Sequence, residues 1–158
     1  MNDTTVTTPN ELEIRVERIF DAPRAHVFSV WTDPKLIPEW WGDSTVVEEM
    51  DVRPGGTYRF RTAFGVVEGE FREVEAPHRL VQTMTALWSD DARAVGETRV
   101  TWEIEQVGDS CRLLLIHDDM PDGTPEEIYG GWPQVLSGLK TWLETGEVLT
   151  TPGSLMYT

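Results

Sequence analysis

From residue 44 to residue 118 the chain runs in short stretches of alternating apolar and polar residues, each closed by turn chemistry. Residues i and i+2 of an extended chain share a face, so this alternation fits half-buried strands and not a helix. The cuts fall at Pro54-Gly55-Gly56, Phe64-Gly65, Ala76-Pro77, the stretch 89–96 and Gly108-Asp109, all of them turn-forming sequences. The pattern predicts strands near 44–52, 57–64, 66–75, 79–88, 97–106 and 110–118. Links this short join antiparallel neighbours, because a parallel pair needs a crossover of roughly a dozen residues or more. The centre of the chain is therefore expected to be one antiparallel sheet.

Helical signals flank it. ELEIRV puts Leu12, Ile14 and Val16 on one face of a further strand, and Asp21 ahead of Ala22 and Pro23 resembles a helix start. Val27, Phe28 and Trp31 recur at helical spacing within 24–32 before Asp33-Pro34 stops the run, and a second short helix is expected over 34–40. After His117 a loop, DDMPDGTPEE, leads into a stripe of Ile128, Trp132, Val135 or Leu136, Leu139 and Trp142 or Leu143. Such a stripe marks a long C-terminal helix within 124–147 that must lie on the sheet, with Pro133 a candidate kink. The expected fold class is α+β. The expected organisation is a flexible N-terminal segment over 1–10, a single domain over 11–147 and a tail over 148–158. No internal repeat or low-complexity block is visible.

Charge narrows the partners. The 28 acidic residues outweigh 13 basic ones, giving a formal net charge of -15, and that field repels phosphate backbones and anionic lipid surfaces. Nucleic acid and membrane are not expected partners. The opening MNDTTVTTPN lacks the pattern of an export leader, and the longest strongly apolar run is LLLI at 113–116, so a soluble, cytoplasmic protein is expected. Cys111 is the lone cysteine and sits in a strand-like run, which suits a small core filler.

The segments RIFDAP, HVFSVWTDP, WW, DVRPGGTYRF, EVEAPHRLV, TRVTWEIE, RLLLIH and GGWPQVLSGLKTWL occur in this order across about residues 11–147. With them the chain resembles the SRPBCC (START-like, helix-grip, Bet v 1-like) superfamily, in the branch similar to the C-terminal domain of the activator of heat-shock protein 90 ATPase. That resemblance implies a seven-stranded antiparallel sheet wrapped around a long C-terminal helix, with two short helices after the first strand and a ligand cavity between sheet and helix. Members of the superfamily include carriers of apolar molecules, polyketide cyclases and aromatases. The eukaryotic co-chaperones carry an additional N-terminal domain, which 158 residues are not expected to hold. Fold of this kind constrains function only loosely.

Candidate site residues follow from the faces. In WTDPKLIPEWWG, residues 31–42, adjacent Trp40 and Trp41 are expected at the cavity rim, either packed under the loop or forming a wall for an apolar ligand. Tyr58 and Phe60 alternate with Arg59 and Arg61, so the aromatics point inward and the arginines outward. Val67, Gly69 and Phe71 likewise oppose Glu68, Glu70 and Arg72. Glu68 and Glu70 form a same-face carboxylate pair, which reads either as acid–base machinery or as a solvated face balanced by Arg59, Arg61 and Arg72. Trp102 lies on TRVTWEIE, while Tyr129 and Trp132 open the C-terminal helix. His117 ends RLLLIH in phase with Leu113 and Leu115, so its imidazole is expected inside, as a ligand contact, a proton shuttle or a structural hydrogen-bonding group.

His117-Asp118-Asp119 suggests a metal, but His26 and His78 stand on the first helix and in a turn, so converging ligands are not expected. No serine elbow, phosphate loop or nucleotide signature is present. The expectation is a binding protein for a small apolar or aromatic molecule, without a cofactor, oriented by groups such as His117 and Tyr129. The alternatives are a cyclase or dehydratase using the same cavity, and a co-chaperone-like interaction module whose partner would be a chaperone.

Overall fold

The alternation over 44–118 resolves into six antiparallel strands, each joined to the next by a hairpin or short link. The computed structural model describes residues 4–10, 13–41, 45–62 and 65–147. In chain order the elements are β1 (Thr4–Asn10), β2 (Glu13–Phe20), α1 (Arg24–Thr32), α2 (Ile37–Trp41), β3 (Val46–Met50), β4 (Thr57–Thr62) and β5 (Gly65–Glu75). They continue with β6 (Arg79–Ala86), α3 (Asp90–Val95), β7 (Thr98–Val107), β8 (Ser110–Asp118), α4 (Glu126–Tyr129) and α5 (Trp132–Thr145). The sheet order is β1-β2-β8-β7-β6-β5-β4-β3, antiparallel throughout. This is the helix-grip arrangement: the seven expected strands are β2 to β8, with two short helices after the first of them and the C-terminal helix packed on the sheet.

Strand phase decides the core. Val16 faces Leu115 and Phe20 faces Cys111 across β2 and β8, and all four side chains are fully buried with Leu113. Cys111 is a free thiol in this core, where burial pushes it up to about 11, so it stays a neutral filler. On the helical side Val135, Leu136 and Leu139 of α5 and Val27, Val30 and Trp31 of α1 are buried against the sheet. Each such side chain contributes roughly 1.5–3 kcal/mol by leaving water.

Four expectations are corrected. Thr4–Asn10, set aside as an N-terminal segment, forms an eighth strand that pairs with β2 in the register Val6↔Val16. The stretch 89–96, read as a turn, contains α3, whose start is capped by Ser89 accepting from the Ala92 amide at 3.0 Å. Asp21 does not cap α1; Pro23 holds that position, and the Asp21 amide bonds instead to Glu144 Oε2 at 2.9 Å. Pro133 does not kink a long helix. The break falls at Gly130-Gly131, between α4 and α5, and Pro133 sits in the first turn of α5, where its missing amide costs nothing. Leu12, Ser44 and the expected tail over 148–158 lie outside the described residues. No helix among the described residues is long and apolar enough to cross a membrane.

The outer face is a lattice of ion pairs. Arg59 meets Glu68 at 2.8 Å, Arg61 meets Glu48 at 3.2 Å, and Arg72 meets Glu70 at 3.4 Å. Glu68 and Glu70 are thus the solvated, charge-balanced face of the hairpin, and pairs this exposed add little stability each.

Candidate functional site: an aromatic cavity between sheet and helices

The helices do not fill the space over β4 to β7. A cavity of about 720 Å³ remains there, within the size range of small-molecule sites. Its wall carries six aromatic rings: Trp31 from α1, Trp41 from α2, Tyr58 and Phe60 from β4, Trp88 from the β6–α3 link and Trp132 from α5. Apolar side chains such as Val67, Met84 and Val100 fill the gaps. The polar groups on the wall are Gln82, Thr62, Ser89 and Glu126, and Glu126 is solvent-exposed.

Trp31 is the hub of the aromatic cluster. Its ring centroid lies 4.3 Å from Trp102, 5.8 Å from both Trp40 and Trp41, 6.3 Å from Phe60 and 6.5 Å from Trp132. Its Nε1–H donates to Gln82 Oε1 at 3.1 Å. Gln82 is 4% exposed and stands in phase with Leu80 and Met84 on the inner face of β6. Beside it on the wall stands Tyr58, whose hydroxyl donates to the Thr83 carbonyl. Burial pushes the Tyr58 phenol well above its ordinary value, so it remains a neutral donor.

A glycine makes that reach possible. Gly69 faces Tyr58 across β4 and β5, and a Cβ there would lie 2.1 Å from the Thr83 oxygen and 2.8 Å from Tyr58 Cε1. Gly69→Ala is therefore expected to cost about 1–3 kcal/mol through forced displacement of the Thr83 carbonyl and the Tyr58 ring. Urea unfolding should show it, and a neutral result would mean that β5 yields without moving Tyr58.

His117 serves the scaffold. It is fully buried, with Trp132 Nε1 donating to its Nδ1 at 3.0 Å and its Nε2 2.8 Å from Thr98 Oγ1. An indole nitrogen only donates, so Nδ1 must be the bare, accepting nitrogen and Nε2 carries the proton. Thr98 Oγ1 accepts a hydrogen bond from Nε2 and donates its own to the Met84 carbonyl at 3.0 Å. Burial lowers the His117 pKa to about 4. The histidine is thus a neutral peg that fastens Trp132, the first residue of α5, to the sheet.

The nine residues singled out from sequence therefore separate. Trp41, Tyr58, Phe60 and Trp132 lie on the wall. Trp40 lies beneath, fully buried, with Nε1 donating to the Val30 carbonyl at 3.0 Å. Phe71 is buried 5.4 Å behind Tyr58 and Trp102 is buried behind Trp31. His117 sits behind Trp132, and the half-buried Tyr129 is off the wall. Trp31, Trp88 and Gln82 were not singled out. For Gln82 the signal existed, as a lone amide in the apolar phase of LVQTMTA. Among the described residues no cluster of His, Cys, Asp and Glu could hold a metal.

The family model described as Activator of Hsp90 ATPase homolog 1-like protein matches residues 21–144. The uncharacterized protein C1711.08 of Schizosaccharomyces pombe is 28% identical over 122 residues, which cover 77% of this chain and 34% of that protein. The chain thus spans about a third of that relative's length. Among solved structures, protein CV1439 of Chromobacterium violaceum is 28% identical with a TM-score of 0.69, covering 87% of this chain and 99% of that one. PFC0360w, an HSP90 activator from Plasmodium falciparum, is 23% identical with a TM-score of 0.71, covering 84% and 96%. These likenesses bear on the fold, and the last carries nothing further at its level of identity.

Proposed function

Since the chain belongs to the family of Activator of Hsp90 ATPase homolog 1-like proteins, a helix-grip family, we propose that it binds a small apolar or aromatic molecule in the cavity between sheet and helices. The observation that carries this reading is the 720 Å³ space walled by six aromatic rings, a surface that water covers poorly and a flat apolar guest covers well. A cytoplasmic location and the absence of a required cofactor belong to the same proposal. The acid–base alternative has less support. Among the described residues the wall bears one carboxylate, the exposed Glu126, and no histidine, whereas proton transfer needs a positioned pair. The chaperone-docking alternative calls for a broad apolar patch, and the large apolar side chains exposed among the described residues are Val46 and Val107.

The test is a titration with Nile red, a neutral aromatic dye, followed by native mass spectrometry of protein isolated from its source. Saturable one-to-one binding is expected, and Val67→Trp, which fills the cavity, should weaken it by about tenfold or more with the unfolding midpoint held. Absence of saturable binding to the wild type would end the reading.

A further inference from the structure

The hydrogen bonds around Gln82 fix which way its amide points. An indole N–H can only donate, so the atom meeting Trp31 Nε1 at 3.1 Å is the carbonyl oxygen. At the other side the Tyr58 hydroxyl spends its proton on the Thr83 carbonyl, which can only accept. With its oxygen held by Trp31, the amide turns Nε2, a donor of two protons, toward the cavity wall that Gln82 shares with Tyr58. Among the described residues nothing accepts from Nε2 within hydrogen-bond distance, and the nitrogen is not sealed in the core as Trp102 Nε1 is, so it opens on the cavity that Gln82 lines. An apolar occupant that displaced water from Nε2 would leave that donor unmet, at a cost in free energy, so an occupant that supplies an acceptor is favoured over one that does not.

The charges on the wall limit that acceptor. Among the described residues no lysine, arginine or histidine lines the cavity, and the one charged group there is the carboxylate of Glu126. Glu126 has no ion-pair partner among the described residues. An anionic head group would lose its hydration there with no cation to replace it and a like charge nearby. Resting on the cavity-binding reading above, we propose that Gln82 is the polar anchor of the site and that the occupant is an uncharged aromatic molecule bearing a carbonyl-type oxygen, which accepts a Gln82 Nε2 proton while its rings lie among Trp31, Trp41, Trp88 and Trp132.

Three probes of one shape separate the terms: acetylnaphthalene, a neutral ketone; isopropylnaphthalene, its hydrocarbon counterpart; and naphthoate, its anion. A ketone is better hydrated than a hydrocarbon, so the informative quantity is their affinity ratio compared between wild type and Gln82→Met, a double-mutant cycle. The ratio is expected to move by about tenfold toward the hydrocarbon in the variant, the worth of one buried hydrogen bond. Naphthoate should bind wild type at least about a hundredfold more weakly than the ketone. In the nitrogen–proton correlation spectrum of the wild type, the Gln82 side-chain amide should shift with the ketone and stay with the hydrocarbon. That reading needs no variant and decides the matter if Gln82→Met does not fold. An unchanged ratio, an unmoved amide or tight naphthoate binding overturns the assignment while leaving cavity binding intact. If neither neutral probe binds, cavity binding itself fails.

Discussion

Trp31→Ala is expected to lower the unfolding free energy by about 3–5 kcal/mol, the range for removing a buried tryptophan. Trp31 is 5% exposed and has five aromatic neighbours within 6.5 Å. Its deletion would open the existing cavity into the core and strip one face from Trp102, whose own Nε1 has no hydrogen-bond partner among the described residues. It would also leave the Gln82 oxygen without its donor. Trp31→Phe separates these effects, since it keeps most of the apolar bulk and loses only the indole donor, at about 1–3 kcal/mol. Far-ultraviolet dichroism in urea is the suitable measurement, because tryptophan fluorescence changes with the substitution itself. A cost below about 1 kcal/mol for the alanine variant would mean that the ring is a mobile wall and not a packed hub.

The periodicities that announced the sheet are those that burial enforces. Tyr58, Phe60, Leu113 and Leu115 all point inward because a one-residue slip would expose them, and α1 covers the residues expected from its spacing. Where the chain escaped reading, local signals were present but short. Ser89 with Asp90 and Asp91 behind it is a sound helix start for a helix of only six residues. TTVTT is β-branched, yet with no apolar alternation it read as polar chain, and only pairing with β2 defines it as a strand. The division at Gly130-Gly131 was hidden because Ile128 and Trp132 continue one apolar stripe across it.

The site was legible as a face and not as a depth. Phase alone places Tyr58, Phe71, Trp102 and His117 on the inside alike; which of them borders the cavity depends on what lies over each. Trp31 covers Trp102, and Trp132 covers His117. No period of two or of three and six tenths contains that information, since it is set by long-range docking of α1 and α5. Gln82 had the opposite fate: its position was readable, but a single amide carries no motif.

Acidification should weaken the wild-type protein through His117 before the carboxylates join in. Its pKa is lowered from 6.5 to about 4 by burial, and the geometry supplies the reason protonation is so unfavourable. A proton on Nδ1 would face the Trp132 indole N–H, donor against donor, across the present 3.0 Å bond. The unfolded chain takes up that proton near pH 6.5 and the folded chain only near pH 4. The stabilisation is therefore complete above about pH 6.5, declines as the pH falls, and is gone at about pH 4, a total of about 3 kcal/mol. Between pH 7 and about pH 5.5, where most carboxylates remain ionised, the loss should be about 1 kcal/mol. His117→Gln should be less stable at pH 7, because the amide reproduces the peg imperfectly, but it should show almost none of this slope. Urea midpoints at the two pH values for both proteins decide the matter. A wild-type protein as flat as the variant would mean that the imidazole finds water or a carboxylate when it is charged, and that Trp132 is held to the sheet by packing rather than by the histidine.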